Sequence, residues 1–153
     1  MICTFFGHRD APNGLKDILK KTVLELIEKK DVKLFYVGNQ GRYDFLVQQV
    51  LNETVSMHSG VRYFIVLTSL NEKPMLGESV PTIFPEEMEK ALPRFAIFKR
   101  NEWMIQNSDT VIAYVRYSSS NAFKWMQRAE KKGLKVINLA ERLSDSTPQV
   151  PCV

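Results

Sequence analysis

Four apolar runs constrain the fold of this chain more than any other feature: VKLFYVG (32–38), VRYFIVLTSL (61–70), TVIAYV (110–115) and LKVINL (134–139). A strand with one wet face alternates polar and apolar residues. A run that is apolar at nearly every position is a strand covered on both faces, the pattern of a parallel sheet packed between helices. The stretches between the runs have helical spacing. Leu15, Ile18, Leu19, Val23, Leu26 and Ile27 recur at three- and four-residue steps, with Lys and Glu on the opposite side. RYDFLVQQVLNETV, FAIFKRNEWMIQNS and NAFKWMQRAEKKG predict three further helices, the last closed by Gly133. With MICTFF as a short first strand, the alternation predicts an α/β fold with a mostly parallel, five-stranded sheet and helices on both faces.

Asn71 to Pro85 holds Pro74, Pro81 and Pro85 and is expected to be a long irregular loop, a type of segment that is often functional. EEMEKAL predicts a short helix ended by Pro93. From Ala140 the chain turns polar and Pro-containing, so residues 1–140 are expected to form one domain and residues 141–153 a loose tail. The length of 153 residues fits a single domain. A net charge of +4 is a mild excess that favours anionic partners without demanding a nucleic acid. The basic pairs Lys20-Lys21, Lys29-Lys30 and Lys131-Lys132 fall on helix faces and read as solvated surface. Cys3 lies in an apolar run and Cys152 near the end, which is neither a disulfide framework nor a metal cluster. No stretch approaches the roughly 20 apolar residues of a membrane span. MICTFFGHRD lacks a basic segment before a long apolar one, so no secretory signal is read and a cytoplasmic location is expected. No metal and no cofactor are expected.

Three strand-to-helix turns carry polar residues that a plain connection does not need. They are FGHRD (Gly7, His8, Arg9, Asp10), VGNQGRYD (Gly38, Asn39, Gly41, Arg42, Asp44) and VRYSSSNAF (Ser118, Ser119, Ser120, Asn121). In a parallel sheet all three lie on one edge, at the carboxyl ends of the strands, where such folds bind ligands. Free N–H groups at a helix N-terminus favour an anion, and glycine lets main chain approach it. Arg42 adds a charge suited to phosphate. Asp44 is an acceptor suited to sugar hydroxyls or a base edge. Each feature also has a plain structural reading: glycines that build a turn, a hydrogen-bonded histidine, a serine cap. Their convergence is the argument for a site, and it requires His8, Asn39 and Ser119 to face one cradle. A fourth element, FKRNEWMIQNSD, places Arg100 and Asn101 within an apolar helix. Either they face water or they stand at the mouth of the pocket.

TFFGHRD, FYVGNQGRYDFLV, TIFPE, RFAIFKRNEWMIQNSDTVIAYV and AEKKGLKVINL, in that order, resemble the SLOG superfamily. These are Rossmann-like domains related to Smf/DprA and to the LOG ("Lonely guy") phosphoribohydrolases, and the likeness is to a small bacterial and phage branch. It runs from about Cys3 to Leu139. The resemblance implies a Rossmann-like three-layer sandwich that binds nucleotides or nucleotide-derived molecules. Gly7, His8 and Arg9 match the first turn, Gly38, Asn39, Gly41 and Asp44 the second, and Arg100 and Asn101 the helix before the fourth strand of that reading. Arg42 stands where relatives usually have a second glycine, and Ser120-Asn121 where they carry a Gly-Gly pair. In the phosphoribohydrolases that pair leads into a catalytic glutamate. Here NAFKWMQ has no acidic residue before Glu130, so no catalytic residue is assigned.

The expected function is therefore binding of a nucleotide-derived small molecule, such as an ADP-ribose-like or NAD-like compound or a cyclic nucleotide signal. Phe6, Tyr43 and Tyr117 are candidates to stack on a base. A nucleoside-monophosphate glycosidase is the alternative, with Asp10, Asp44 or Glu102 as substitute carboxylates. Nucleic acid is not expected as a partner, because the lysine pairs make no continuous basic groove with stacking aromatics. A homo-oligomer is expected, through the helix of Trp103 or that of Trp125.

Overall fold

The computed structural model describes residues 1–146, the side chains of 144–146 excepted. Its strands are β1 (Ile2–Gly7), β2 (Leu34–Val37), β3 (Arg62–Val66), β4 (Thr82–Ile83), β5 (Thr110–Tyr114) and β6 (Lys135–Asn138). Its helices are α1 (Lys16–Lys29), α2 (Gly41–Val55), α3 (Ala96–Gln106), α4 (Asn121–Lys131) and α5 (Leu139–Ser146). The strands form one sheet in the order β4-β3-β2-β1-β5-β6. Every neighbouring pair is parallel. The chain winds outward from β1 to β4, then crosses back to lay β5 on the other side of β1. The architecture is a Rossmann-like three-layer sandwich.

Strand periodicity divides the core in two. Phe5, Phe35 and Ile112 point to the layer that holds Leu19 and Val23 of α1, Leu46 and Val50 of α2, and Leu139 of α5. Phe6, Val111 and Ala113 point the other way, onto Met104 and Ile105 of α3 and Ala129 of α4. Both faces of the sheet are therefore apolar, which is why the runs read as nearly continuous. Each buried Phe, Leu, Ile or Val contributes about 1.5–3 kcal/mol. Trp103 meets the Tyr36 ring edge-on at 4.9 Å and Trp125 stacks on Phe6 at 5.9 Å, so both tryptophans are partly buried packing residues. Among the described residues no helix is long and apolar enough to cross a membrane.

Three expectations are corrected. Among the described residues the sheet has six strands, because Thr82–Ile83 pairs with Ile65 and Val66 inside the stretch read as irregular. Two residues between Pro81 and Pro85 carry no readable period, and flanking prolines are tolerated because β4 is an edge strand. EEMEKAL forms only a 3₁₀ turn, Glu86–Met88. The segment from Ala140 is helical as far as Ser146, so the boundary drawn at residue 140 falls inside α5. Leu139 is fully buried, with Ala140 and Leu143 packed on the same core. Arg142 Nη1 donates to Thr22 Oγ1 at 3.1 Å and pairs with Glu25 at 3.2 Å, tying α5 to α1. Cys152 lies outside the described residues, and Cys3 is fully buried.

Candidate functional site

The strand order reverses between β1 and β5. There, at the carboxyl ends of the strands, a cleft of about 390 Å³ opens between the β1 turn, α3 and the start of α4. Gly7 ends β1 under the Tyr43 ring, which a Cβ at that position would strike. Tyr43 is fully buried and its hydroxyl donates to the Ile112 carbonyl at 2.8 Å, so it is a core residue and not a base reader. His8 follows, and its Nε2 accepts the Arg116 N–H at 2.8 Å. An accepting Nε2 puts the ring proton on Nδ1. Burial lowers the His8 pKa; the Asp10 carboxylate opposes this and Arg116 adds to it. His8 is thus both the hydrogen-bonded turn residue of the plain reading and part of the cleft wall. Arg9 and Asp10 line the cleft beside it.

The second turn differs from its expected role. Two of its amides are not free for a ligand: the Arg42 N–H donates to the Arg9 carbonyl at 2.8 Å, and the Gln40 N–H to Asp44 Oδ2 at 2.9 Å. Its glycines serve close packing. Gly41 has φ 80°, and a Cβ there would stand 2.7 Å from Arg9 Cγ and 2.8 Å from Arg9 Cα. A Cβ on Gly38 would stand 2.7 Å from Asp44 Oδ2 and 3.2 Å from Arg100 Cζ and Nη2. Gly41 therefore seats the Arg9 turn, and Gly38 lets Asp44 and Arg100 close on the end of β2. Arg42 is half-buried, its Cζ 5.7 Å from the Phe45 ring, and does not line the cleft.

Asn39 is also directed elsewhere. Its Nδ2 donates to the Lys73 carbonyl at 2.9 Å and to Glu72 at 3.2 Å, and its Oδ1 accepts the Met75 N–H at 2.9 Å. The fully buried Gln48 completes the network, donating to Asn39 Oδ1 at 3.0 Å and accepting the Leu76 N–H at 3.1 Å. Asn39 anchors the 71–81 loop. Of the third turn, Ser118 and Ser119 are exposed and outside the cleft lining, whereas Ser120 and Asn121 are in it. Ser120 Oγ accepts the Phe123 N–H at 3.1 Å and donates to the Tyr117 carbonyl at 3.0 Å, so its hydroxyl is committed as the α4 cap. The cradle expected from His8, Asn39 and Ser119 is not formed; of the three, only His8 faces the cleft.

The cleft is instead built around α3. Ala96, Arg100, Asn101, Met104 and Ile105 are the buried stripe of that helix, so its two polar residues point inward. Arg100 is 2% exposed. Its Nε and Nη2 donate to Asn101 Oδ1 at 3.3 and 3.2 Å, and its Nη1 is buried with no hydrogen-bond partner among the described residues. No carboxylate among the described residues is within ion-pairing distance of it. Burial lowers the Arg100 pKa, the Asp44 and Glu72 carboxylates oppose this, and Arg9 adds to it. Burial pushes the Asp44 carboxyl up to about 6, against the pull of Arg100, the Gln40 N–H and Arg9. Asp44 Oδ1 has no hydrogen-bond partner among the described residues and remains available as an acceptor.

The site residues expected from sequence thus divide. Gly7, His8, Arg9, Asp44, Arg100, Asn101, Ser120 and Asn121 line one cleft, with Gly38 and Gly41 packed behind its wall. Gln40, Ile97, Met104 and Trp125 also line it and were not expected to, and Asp10 lines it although it was named only as a turn residue and a substitute carboxylate. Ile97, Asn101 and Met104 recur at helical spacing, which is the signal that would have found the α3 members. Fold and site together define a Rossmann-like α/β domain with a cleft at its topological switch point, lined by Arg9 and Arg100 and by Asp10 and Asp44. No protein-family model matches the sequence, and no curated protein matches it.

Proposed function

We propose that this protein binds a phosphorylated, nucleotide-derived small molecule in the cleft between β1, α3 and α4, as a sensor or sequestering protein. An ADP-ribose-like or NAD-like compound or a cyclic nucleotide signal is the ligand class. The observation that carries the reading is Arg100 Nη1. A buried guanidinium donor without a partner is destabilising by several kcal/mol. Nη1 is closed to solvent as the fold stands, so an anion offsets that cost only as the side chains over it shift to admit it. Arg9 and the first amides of α4 add positive potential at the same opening. The cleft volume lies within the range of small-molecule sites. The resemblance to SLOG proteins points to the same ligand class. The exposed apolar side chains Leu92, Phe95 and Phe98 at and before the start of α3 support self-association of copies.

A thermal-shift panel of ADP-ribose, NAD, AMP and cyclic mononucleotides tests the proposal. A ligand at about 100 times its Kd adds about 2.7 kcal/mol of stability, and each kcal/mol raises the Tm of a domain this size by roughly 2–4 °C. At least one member should raise the Tm by several degrees. A panel in which none does would refute the proposal.

Asp44 favours a second reading, hydrolysis of a glycosidic bond. A carboxyl held near neutrality in a cleft suits proton transfer or stabilisation of positive charge on a ribose. Glu130 is exposed in the last turn of α4 and does not line the cleft, so it is no substitute. Release of free base from AMP by the wild type, lost in Asp44→Asn, would favour hydrolysis over simple binding.

A further inference from the structure

The aromatic residues of the cleft are not equivalent. Phe5 is 1% exposed and stacks on Phe35 at 6.0 Å. Phe6 is 5% exposed, behind Trp125. Trp125 lines the cleft, but its ring is flanked by Phe6 at 5.9 Å, Phe98 at 5.0 Å and the Arg128 guanidinium at 5.1 Å. Tyr117 is different. It is 49% exposed, and one face lies on the His8 ring at 4.2 Å with an interplanar angle of 7°. His8 is itself fixed by the Arg116 amide, one residue before Tyr117 in the chain. The phenol is therefore held flat from behind by a ring that cannot turn without breaking a backbone hydrogen bond. Holding an exposed aromatic side chain in one plane costs rotamer entropy, and a preformed flat surface lowers what a planar ligand must supply on binding.

We propose that Tyr117 is the ring-reading residue of this cleft, so that its ligand carries a planar aromatic ring as well as a phosphate. The proposal rests on the reading of the cleft as a phosphate site. Arg100 and Arg9 hold the anion in the recess, and the ring of the ligand stacks on the Tyr117 face that His8 leaves open. Aromatic stacking is tolerant of ring identity, so the cleft selects for the presence of a base more than for which base it is.

The test compares AMP with ribose 5-phosphate, which carries the same phosphate and sugar without the ring. Both are titrated by calorimetry into the wild type, Tyr117→Phe and Tyr117→Ala. Tyr117 is exposed, so neither substitution disturbs the core. The wild type and Tyr117→Phe should bind AMP about tenfold more tightly than ribose 5-phosphate, and in Tyr117→Ala that difference should vanish through loss of AMP affinity alone. Equal wild-type affinity for the two probes would overturn the ring-reading role and leave the phosphate site standing, as would a tenfold difference that survives in Tyr117→Ala. Failure of both probes to bind the wild type would overturn the phosphate site and this inference with it.

Discussion

Arg100→Met is expected to weaken binding of a phosphorylated ligand by about a hundredfold or more while the protein stays folded. Two charge-assisted hydrogen bonds to a phosphate, at about 1.5–3 kcal/mol each, set that scale. Methionine fills much of the same volume and removes a buried charge whose Nη1 has no partner among the described residues, and the Tm of the variant checks that it folds without the pull of Arg100 on Asp44. The substitution therefore separates binding from folding. Arg42→Ala is the control. The sequence alone makes Arg42 the natural phosphate ligand; in the structure it lies against Phe45, outside the cleft. Its removal should change affinity by no more than about twofold, the scale of a screened surface charge. Calorimetric titration of ADP-ribose into the three proteins reads both effects. Unchanged affinity in Arg100→Met, or equal losses in both variants, would remove Arg100 from its assigned role.

The second large effect concerns Asp44. Its carboxyl titrates near 3.8 in the ordinary case and at about 6 in the folded protein, because burial outweighs the pull of Arg100, Gln40 and Arg9. Between those values the folded state holds the proton more tightly than the unfolded chain. The contribution of Asp44 to stability is thus most favourable below pH 4, is lost as pH rises towards 6, and is a constant penalty above that. At about 1.4 kcal/mol per pH unit of difference the penalty is about 3 kcal/mol. An asparagine in its place is neutral at every pH, so Asp44→Asn should raise the Tm by about 6–12 °C at pH 8 and by little at pH 4. The same carboxylate repels an incoming anion, so phosphate ligands should bind the wild type more tightly at pH 6 than at pH 8, and Asp44→Asn should flatten that dependence. Scanning calorimetry at pH 4 and pH 8 checks the stability effect. A lower Tm for Asp44→Asn at pH 8 would mean that the ionised carboxylate is favourable where it stands.

The parallel sandwich was legible because long strands covered on both faces leave continuous apolar runs. β4 was not: two residues carry no period, and their pairing partner lies on β3. α5 was masked by composition, since Arg142 and its neighbours outweigh the stripe of Leu139, Ala140 and Leu143. In the site, Gly7, His8 and Arg9 were legible because they lie where β1 ends, at the carboxyl edge of the sheet. Asn39 was not, since its partners come from the 71–81 loop, whose path no local pattern encodes. Gly38 and Gly41 make room for side chains of Arg9, Asp44 and Arg100, close approaches that no local pattern encodes. The direction of Arg100 was left open between water and the pocket, although Ala96, Arg100 and Met104 are spaced by four and share the buried stripe.

On the proposed function, the buried Arg100 guanidinium takes an anion at the switch point of the sheet. A crystal structure of the protein soaked with ADP-ribose decides whether it does. It should place a phosphate oxygen about 2.8 Å from Arg100 Nη1. Phosphate bound at Arg42 or elsewhere on the surface, with Arg100 Nη1 still without a partner, would contradict it.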